Sequence, residues 1–182
     1  MFESTPPFRS ADIAFKPALE VWEIAGYFWL RRAVFCAEQG LFADADRDEI
    51  DARALPIVAV APLAGMPDEV VGTVRIYEEA RGIWYGGRLS VHPSYRHLGT
   101  IGPGLIREAV TTACRRGCDR FFAYVQQRNT SLFQRLGWRE LGTALMHGRP
   151  HSVMEADLSV YRALTEARAP LLSRPEARAV GP

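Results

Sequence analysis

The strongest chemical signal in the chain is a set of glycines and a proline opening an apolar-striped segment, GTIGPGLIREAVTTACRRG, at 99–117. Leu105, Ile106, Ala109, Val110 and Ala113 fall on one helical stripe, Pro103 suits a first turn and Gly117 suits a C-terminal cap. The amides at a helix N-terminus lack partners and carry partial positive charge, and glycine lets backbone close on a pyrophosphate. The loop therefore reads either as an anion cradle or as a plain helix connection. A second signal is DADRDEID at 44–51, five acids against one arginine. Asp46 and Glu49 in it are candidates to dock an ammonium or polyamine, the alternative being a solvated acidic loop. Glu38, within VFCAEQ, is a candidate general base if its apolar neighbours desolvate it and raise its pKa; a helix-end carboxylate is the other reading. Arg75 and Arg88, on adjacent extended runs, would bind a carboxylate or an acyl carbonyl, or else sit exposed on their strands. Cys36 has no histidine beside it to activate it, and His92, His97, His147 and His151 lack metal-ligand spacing, so no metal site is expected.

The elements that must position these groups alternate between extended and helical patterns. A short strand near Ile13 to Lys16 leads to a helix from about Leu19 to Ala37, with Trp22, Ala25, Phe28 or Trp29, Arg32 and Phe35 recurring at helical spacing. Two runs, 56–61 and 69–79, are joined by the hairpin signal LAGMPD, and a further strand spans Ile83 to Val91. After the glycine loop and its helix come a buried-looking strand, Arg120 to Gln126, and a short helix that Asn129 can cap. Two last strands, near Trp138 to Met146 and His151 to Leu158, flank a turn with Gly148 and Pro150. The class is mixed α/β (α+β), with strands that meander before the glycine loop. The organisation is a flexible N-terminus at 1–10, one domain at 11–161, and a C-terminal extension at 162–182 whose first half is compatible with helix.

Composition excludes several classes of function. With 22 Lys and Arg against 21 Asp and Glu, no bulk field exists to hold nucleic acid or an anionic membrane. No apolar run approaches the roughly 20 residues that span a bilayer, and three cysteines without a Cys-x-x-Cys pair suit a reducing cytoplasm.

Val91, Pro93, Tyr95, Arg96, Gly99 and Gly102, followed downstream by Asn129, Leu132, Phe133, Leu136, Gly137 and Trp138, resemble the acyl-CoA-binding motifs of the GNAT superfamily of N-acyltransferases. Upstream, Arg31, Val34, Phe35, Glu38, Gln39, Glu49 and Asp51 are similar to the first helix and loop of a GNAT subgroup related to autoinducer synthases, and more softly to the GNAT protein encoded beside nitrilases. The resemblance implies a central, mostly antiparallel sheet flanked by helices and splayed at the cofactor cleft. It implies that acetyl-CoA, or another acyl-CoA, lies between the strand ending at Val91 and the strand 120–126. Amides near Leu89, Ser90 and Val91 would polarise the thioester. Arg96, His97, Leu98, Gly99, Thr100, Ile101 and Gly102 would hold the pyrophosphate, with Asn129 and Phe133 beside the cofactor. Arg31, Asp46, Glu49, Arg75, Tyr85 and Arg88 would face the acceptor.

Three departures from the family pattern stand out. Gly102 comes one residue late, and Pro103 supplies no N–H. Phe133 occupies the place where many relatives have a proton-donating tyrosine, so Tyr124 or a water would protonate the leaving thiolate. Tyr85 stands where autoinducer synthases carry a glutamate three residues before the strand arginine, here Arg88. The leading expectation is acetyl transfer to a small-molecule amine or amino-acid-like acceptor by direct attack. The alternatives are an autoinducer-like acyltransferase and a CoA-binding module with little catalysis. Oligomeric state is open, a homodimer included.

Overall fold

The computed structural model describes residues 12–63 and 65–167. The expected N-terminal segment at 1–10 and the far part of the C-terminal extension lie outside these residues. Strands β1 (Ala14–Pro17), β2 (Leu55–Leu63), β3 (Met66–Ala80), β4 (Ile83–Val91), β5 (Arg120–Gln126), β6 (Trp138–Met146) and β7 (Arg149–Ala156) form one sheet in the order β1-β2-β3-β4-β5-β7-β6. Every neighbouring pair is antiparallel except β4 and β5. A parallel pair needs a long crossover, and helix α2 (Ile101–Arg115) provides it.

Helix α1 (Val21–Arg32) covers one face of the sheet, while α2 covers the other with α4 (Leu158–Ala167) beside it. The larger core lies under α2, where Ile101, Leu105, Ile106, Val110 and Ala113 pack on Ile57, Ile76, Trp84 and Phe121. The smaller core joins Tyr27, Leu30, Val34 and Phe35 to Val58, Val60 and Val70. Two glycines set the approach of α2: a Cβ on Gly104 would sit 2.2 Å from the Phe15 ring, and one on Gly72 would sit 2.8 Å from Leu105.

The first helix corrects the expected stripe. Its buried residues are Glu23, Tyr27, Leu30 and Arg31, whereas Trp29 is 61% exposed and Trp22 and Arg32 are exposed as well. The period is helical as expected, but the phase is rotated because two of the inward residues are charged and paired. Glu23 meets the Lys16 ammonium at 2.5 Å and accepts from the amides of Leu19 and Glu20; Arg31 is described below. After Arg32 the helix widens into a π turn, Ala33–Glu38, a form that recurs at functional sites. The last strand also begins earlier than expected, at Arg149, and Leu158 opens α4 rather than closing the strand. That helix continues through 162–167, with Tyr161 buried and its hydroxyl donating to the Leu136 carbonyl at 2.6 Å.

Candidate active site

The parallel ladder between β4 and β5 pairs only Ile83–Gly86 with Arg120–Ala123. Beyond Gly86 and Ala123 the strands part, and a cleft of about 390 Å³ opens between them. On the α2 side it is lined by Leu89, Ile106, Ala109, Asn129, Phe133 and Trp138. On the other side it is lined by Phe35, Phe42, Arg75, Tyr77, Arg88 and Tyr124, among others. The parting coincides with a bulge on β4: the register with β3 shifts between Thr73 and Arg75, and Arg88 takes φ 55°. A left-handed arginine is an uncommon conformation that its surroundings must hold. Here the Thr73 hydroxyl donates to the Arg88 carbonyl at 3.2 Å and lies 2.7 Å from the Ser90 hydroxyl.

The glycine segment divides into a 3₁₀ turn, Pro93–Leu98, a left-handed Gly99 with φ 67°, and α2. Gly102 and Pro103 are already helical, so no bulged loop carries the late glycine; Pro103 falls at the third helical position, where its missing N–H removes one otherwise unpaired donor. His97, Leu98, Gly99 and Thr100 are exposed, whereas the Ile101 side chain is core, leaving only its amide for an anion. Arg96 is not free: its guanidinium pairs with both oxygens of Glu38 at 2.7 and 2.6 Å, and its Nε donates to the Val91 carbonyl at 3.0 Å.

That pair also corrects the expectation for Glu38. Its carboxylate is 40% exposed, does not line the cleft, and is held below its ordinary pKa chiefly by the Arg96 hydrogen bonds. Burial pushes its pKa up, but the Arg96 hydrogen bonds outweigh that push, so the raised pKa expected of a base is absent.

The acidic segment is likewise not a free docking surface. Arg31, fully buried, donates from Nε to Asp46 at 2.7 Å, from Nη1 to Tyr27 and Asp51, and from Nη2 to Asp51 and the Asp46 carbonyl. All of a guanidinium's N–H donors are thereby used. Asp48 receives a two-point contact from Arg75 at 2.5 and 2.7 Å, and Arg88 reaches Asp46 and Asp48 at 3.2 Å each. Three arginines and three aspartates thus make one charge-balanced cluster, with the Arg75 Nε alone buried and unbonded. Asp46 is 2% exposed and Arg31 lies behind the cleft wall, so neither is available to an acceptor; Glu49 is exposed and does not line the cleft, although Ile50 of the same 3₁₀ turn does. Arg75 and Arg88 do border the cleft, but as members of this cluster rather than as exposed strand arginines.

Tyr85 stacks between Tyr77 at 5.8 Å and Tyr124 at 6.2 Å, in an aromatic row crossing β3, β4 and β5. Tyr124 is 42% exposed at the cleft end of this row. Phe133 is both core and wall, edge-on to Trp138 at 5.1 Å. Asn129 stands at the cap position of α3 (Thr130–Arg135) without the expected capping bond from its side chain. Tyr77, Gln126, Met146, His147 and His151 also line the cleft and were not singled out as site residues from the sequence. For Tyr77 the two-residue spacing from Arg75 was an available signal; for the hairpin residues there was none, because a sheet neighbour brings them in.

An open sheet parted between parallel β4 and β5, with a glycine turn and helix N-terminus beyond the gap, is the architecture of an acyl-CoA-dependent acyltransferase. The Acetyltransferase (GNAT) family model matches residues 19–138, and the chain belongs to this family of acetyltransferase enzymes. A Lactobacillus plantarum structure described as an N-acetyltransferase is 24% identical, with 80% of this chain and 96% of that one covered at a TM-score of 0.67. Escherichia coli ElaA is 21% identical over 80% of this chain and 99% of its own, TM-score 0.65. FeeM, an N-acyl amino acid synthase from uncultured soil microbes, is 15% identical over 86% and 98%, TM-score 0.63. No curated protein matches the sequence significantly.

Proposed function

We propose that the protein transfers the acetyl group of acetyl-CoA to a primary amine on a small molecule by direct attack. The observation that carries this reading is the gap between β4 and β5, which leaves strand edge beside the bulge at Arg88 and Leu89. A pantetheine arm would add to that edge as a peptide augments a sheet, and amides near Leu89, Ser90 and Val91 would stabilise the oxyanion. The turn Arg96, His97, Leu98, Gly99, Thr100 with the Ile101 and Gly102 amides would face the pyrophosphate, Arg96 exchanging Glu38 for phosphate oxygens. Asn129 and Phe133 would flank the arm. Tyr124, whose hydroxyl has no partner among the described residues, would protonate the leaving thiolate.

The acceptor half of the cleft supports an amine with an apolar or aromatic body, including amino-acid-like acceptors, over a polyamine. Its walls include Phe35, Leu41, Phe42, Ile50, Tyr77 and Met146, and the one carboxylate among its lining residues, Asp48, is bound by Arg75. Thiol release from acetyl-CoA with tyramine, phenylalanine and spermidine tests this. Tyramine or phenylalanine should exceed spermidine at least tenfold in kcat/KM; spermidine as the best of the three would reverse the assignment. A second reading, transfer of a longer acyl group, is favoured by the apolar wall of Val74, Ile106, Ala109, Phe121 and Trp138. Faster turnover with octanoyl-CoA than with acetyl-CoA would select it. The three cysteines, all unpaired, suit a reducing cytoplasm, and no helix among the described residues is long and apolar enough to cross a membrane.

A further inference from the structure

An amine that attacks a thioester must lose a proton, and the groups with carboxylates are occupied. Glu38 is outside the cleft and bound to Arg96, and Asp48 is bound to Arg75 and Arg88. Resting on the acyltransferase reading above, we propose that His151 accepts the proton of the attacking amine through Nε2.

Four observations lead there. His151 lines the cleft and is only 8% exposed. It sits on β7, which is paired on both sides, opposite Gln126 of β5 and Ala144 of β6, so its backbone is held in place. The same register sets Tyr124 opposite Val153, and residues two apart share a face of the sheet, so His151 and Tyr124 project on the same side. Finally, His151 Nδ1 lies 2.9 Å from the Arg149 carbonyl oxygen. A carbonyl oxygen has no hydrogen to give, so Nδ1 must donate, and in the neutral ring the lone pair then resides on Nε2. No hydrogen bond among the described residues occupies Nε2. The other cleft histidine, His147, lies exposed on the β6–β7 turn with φ 50°, edge-on to Phe42 at 4.8 Å, and lacks such an anchor.

The step balances without a further reagent. The amine lone pair forms the C–N bond as the carbonyl π pair moves to oxygen, and the N–H proton of the adduct passes to His151 Nε2. Collapse re-forms the carbonyl and breaks the C–S bond, whose pair leaves on sulfur. The thiolate takes a proton from Tyr124, and imidazolium and tyrosinate then exchange a proton through solvent, restoring both groups.

The test has two arms on the full chain. Long-range proton–nitrogen correlation of nitrogen-15-labelled protein, with the His151 signals assigned by their loss in His151→Asn, should show neutral His151 protonated at Nδ1. The Nε2-protonated tautomer would overturn the proposal, and this arm needs no acceptor and no turnover. In the second arm, thiol release from acetyl-CoA is followed with tyramine and with water as nucleophile. His151→Asn and His151→Gln should lower kcat at least tenfold while calorimetric acetyl-CoA affinity stays within twofold of wild type. Added imidazole should restore part of the rate in His151→Ala. Wild-type rates in the substituted proteins, or a parallel loss of acetyl-CoA affinity, would overturn the role of His151. Failure of the wild-type protein to bind acetyl-CoA would instead remove the underlying reading.

Discussion

At the scale of single residues, the decisive finding is that the charges which looked free are bound to one another. Burying a guanidinium is tolerable only with partners, and Arg31 has them on every N–H. Arg31→Met should therefore cost up to roughly 3–5 kcal/mol in urea unfolding, because Asp46 and Asp51 lose the guanidinium that joins them and keep only Arg88 and Arg75 as partners. A cost near zero would mean that water replaces the guanidinium. Asp51 also predicts a pH dependence. Burial alone would raise its pKa, but hydrogen bonds from Arg31 and the Asp48 amide outweigh it and hold the group at about 2 instead of its ordinary 3.8. A carboxylate depressed in the folded state stabilises fully above its unfolded pKa and loses that contribution as pH falls through the folded value. The melting temperature should accordingly fall between about pH 4 and pH 2, and Asp51→Asn should flatten that part of the profile. An unchanged profile in the variant would sever the link to Asp51.

At the scale of elements, three glycines of one motif have three different jobs, and each has a distinct expected outcome. Gly99 is left-handed with open space around a Cβ, so Gly99→Asp should strain the turn and place negative charge where the proposed function puts the phosphates. CoA affinity should fall at least tenfold, about 1.4 kcal/mol, by calorimetry. Gly102 is helical with open space, so Gly102→Ala should stabilise by up to about 1 kcal/mol through helix propensity and leave CoA affinity nearly intact. A Cβ on Gly104 would come within 2.2 Å of the Phe15 ring, so Gly104→Ala should destabilise by about 1–3 kcal/mol by pushing α2 off β1. A Gly104→Ala protein as stable as Gly102→Ala would show that Phe15 simply turns aside.

At the scale of the whole molecule, the sheet, the crossover helix and the cleft form one binding unit, and a ligand bound only by the folded chain must stabilise all of it. Acetyl-CoA at about 100 times its Kd should add about 2.7 kcal/mol, or roughly 5–10 °C in melting temperature for a chain of this size. NADH and ATP should add much less, and no shift with acetyl-CoA would count against the acyltransferase reading.

Local sequence was enough to locate six strands closely, the crossover helix and the glycine turn. Alternation, helical spacing, glycine and proline act over a few residues, and the GNAT motifs at 91–102 and 129–138 supplied the family. It also marked Arg75, Arg88, Leu89, Tyr124, Asn129 and Phe133, all of which do border the cleft. Tertiary structure decided the phase of α1, because hydropathy counts Glu23 and Arg31 as outward whereas their ion-pair partners Lys16, Asp46 and Asp51 turn them inward. It decided that Glu38 is held by Arg96, 58 positions away, and that the acids at 46, 48 and 51 neutralise arginines from three other elements. It also brought His151 to the cleft through its register with Gln126. Charge pairing and strand register act between residues far apart in the chain, and a single sequence carries the types of those residues but not which of them meet.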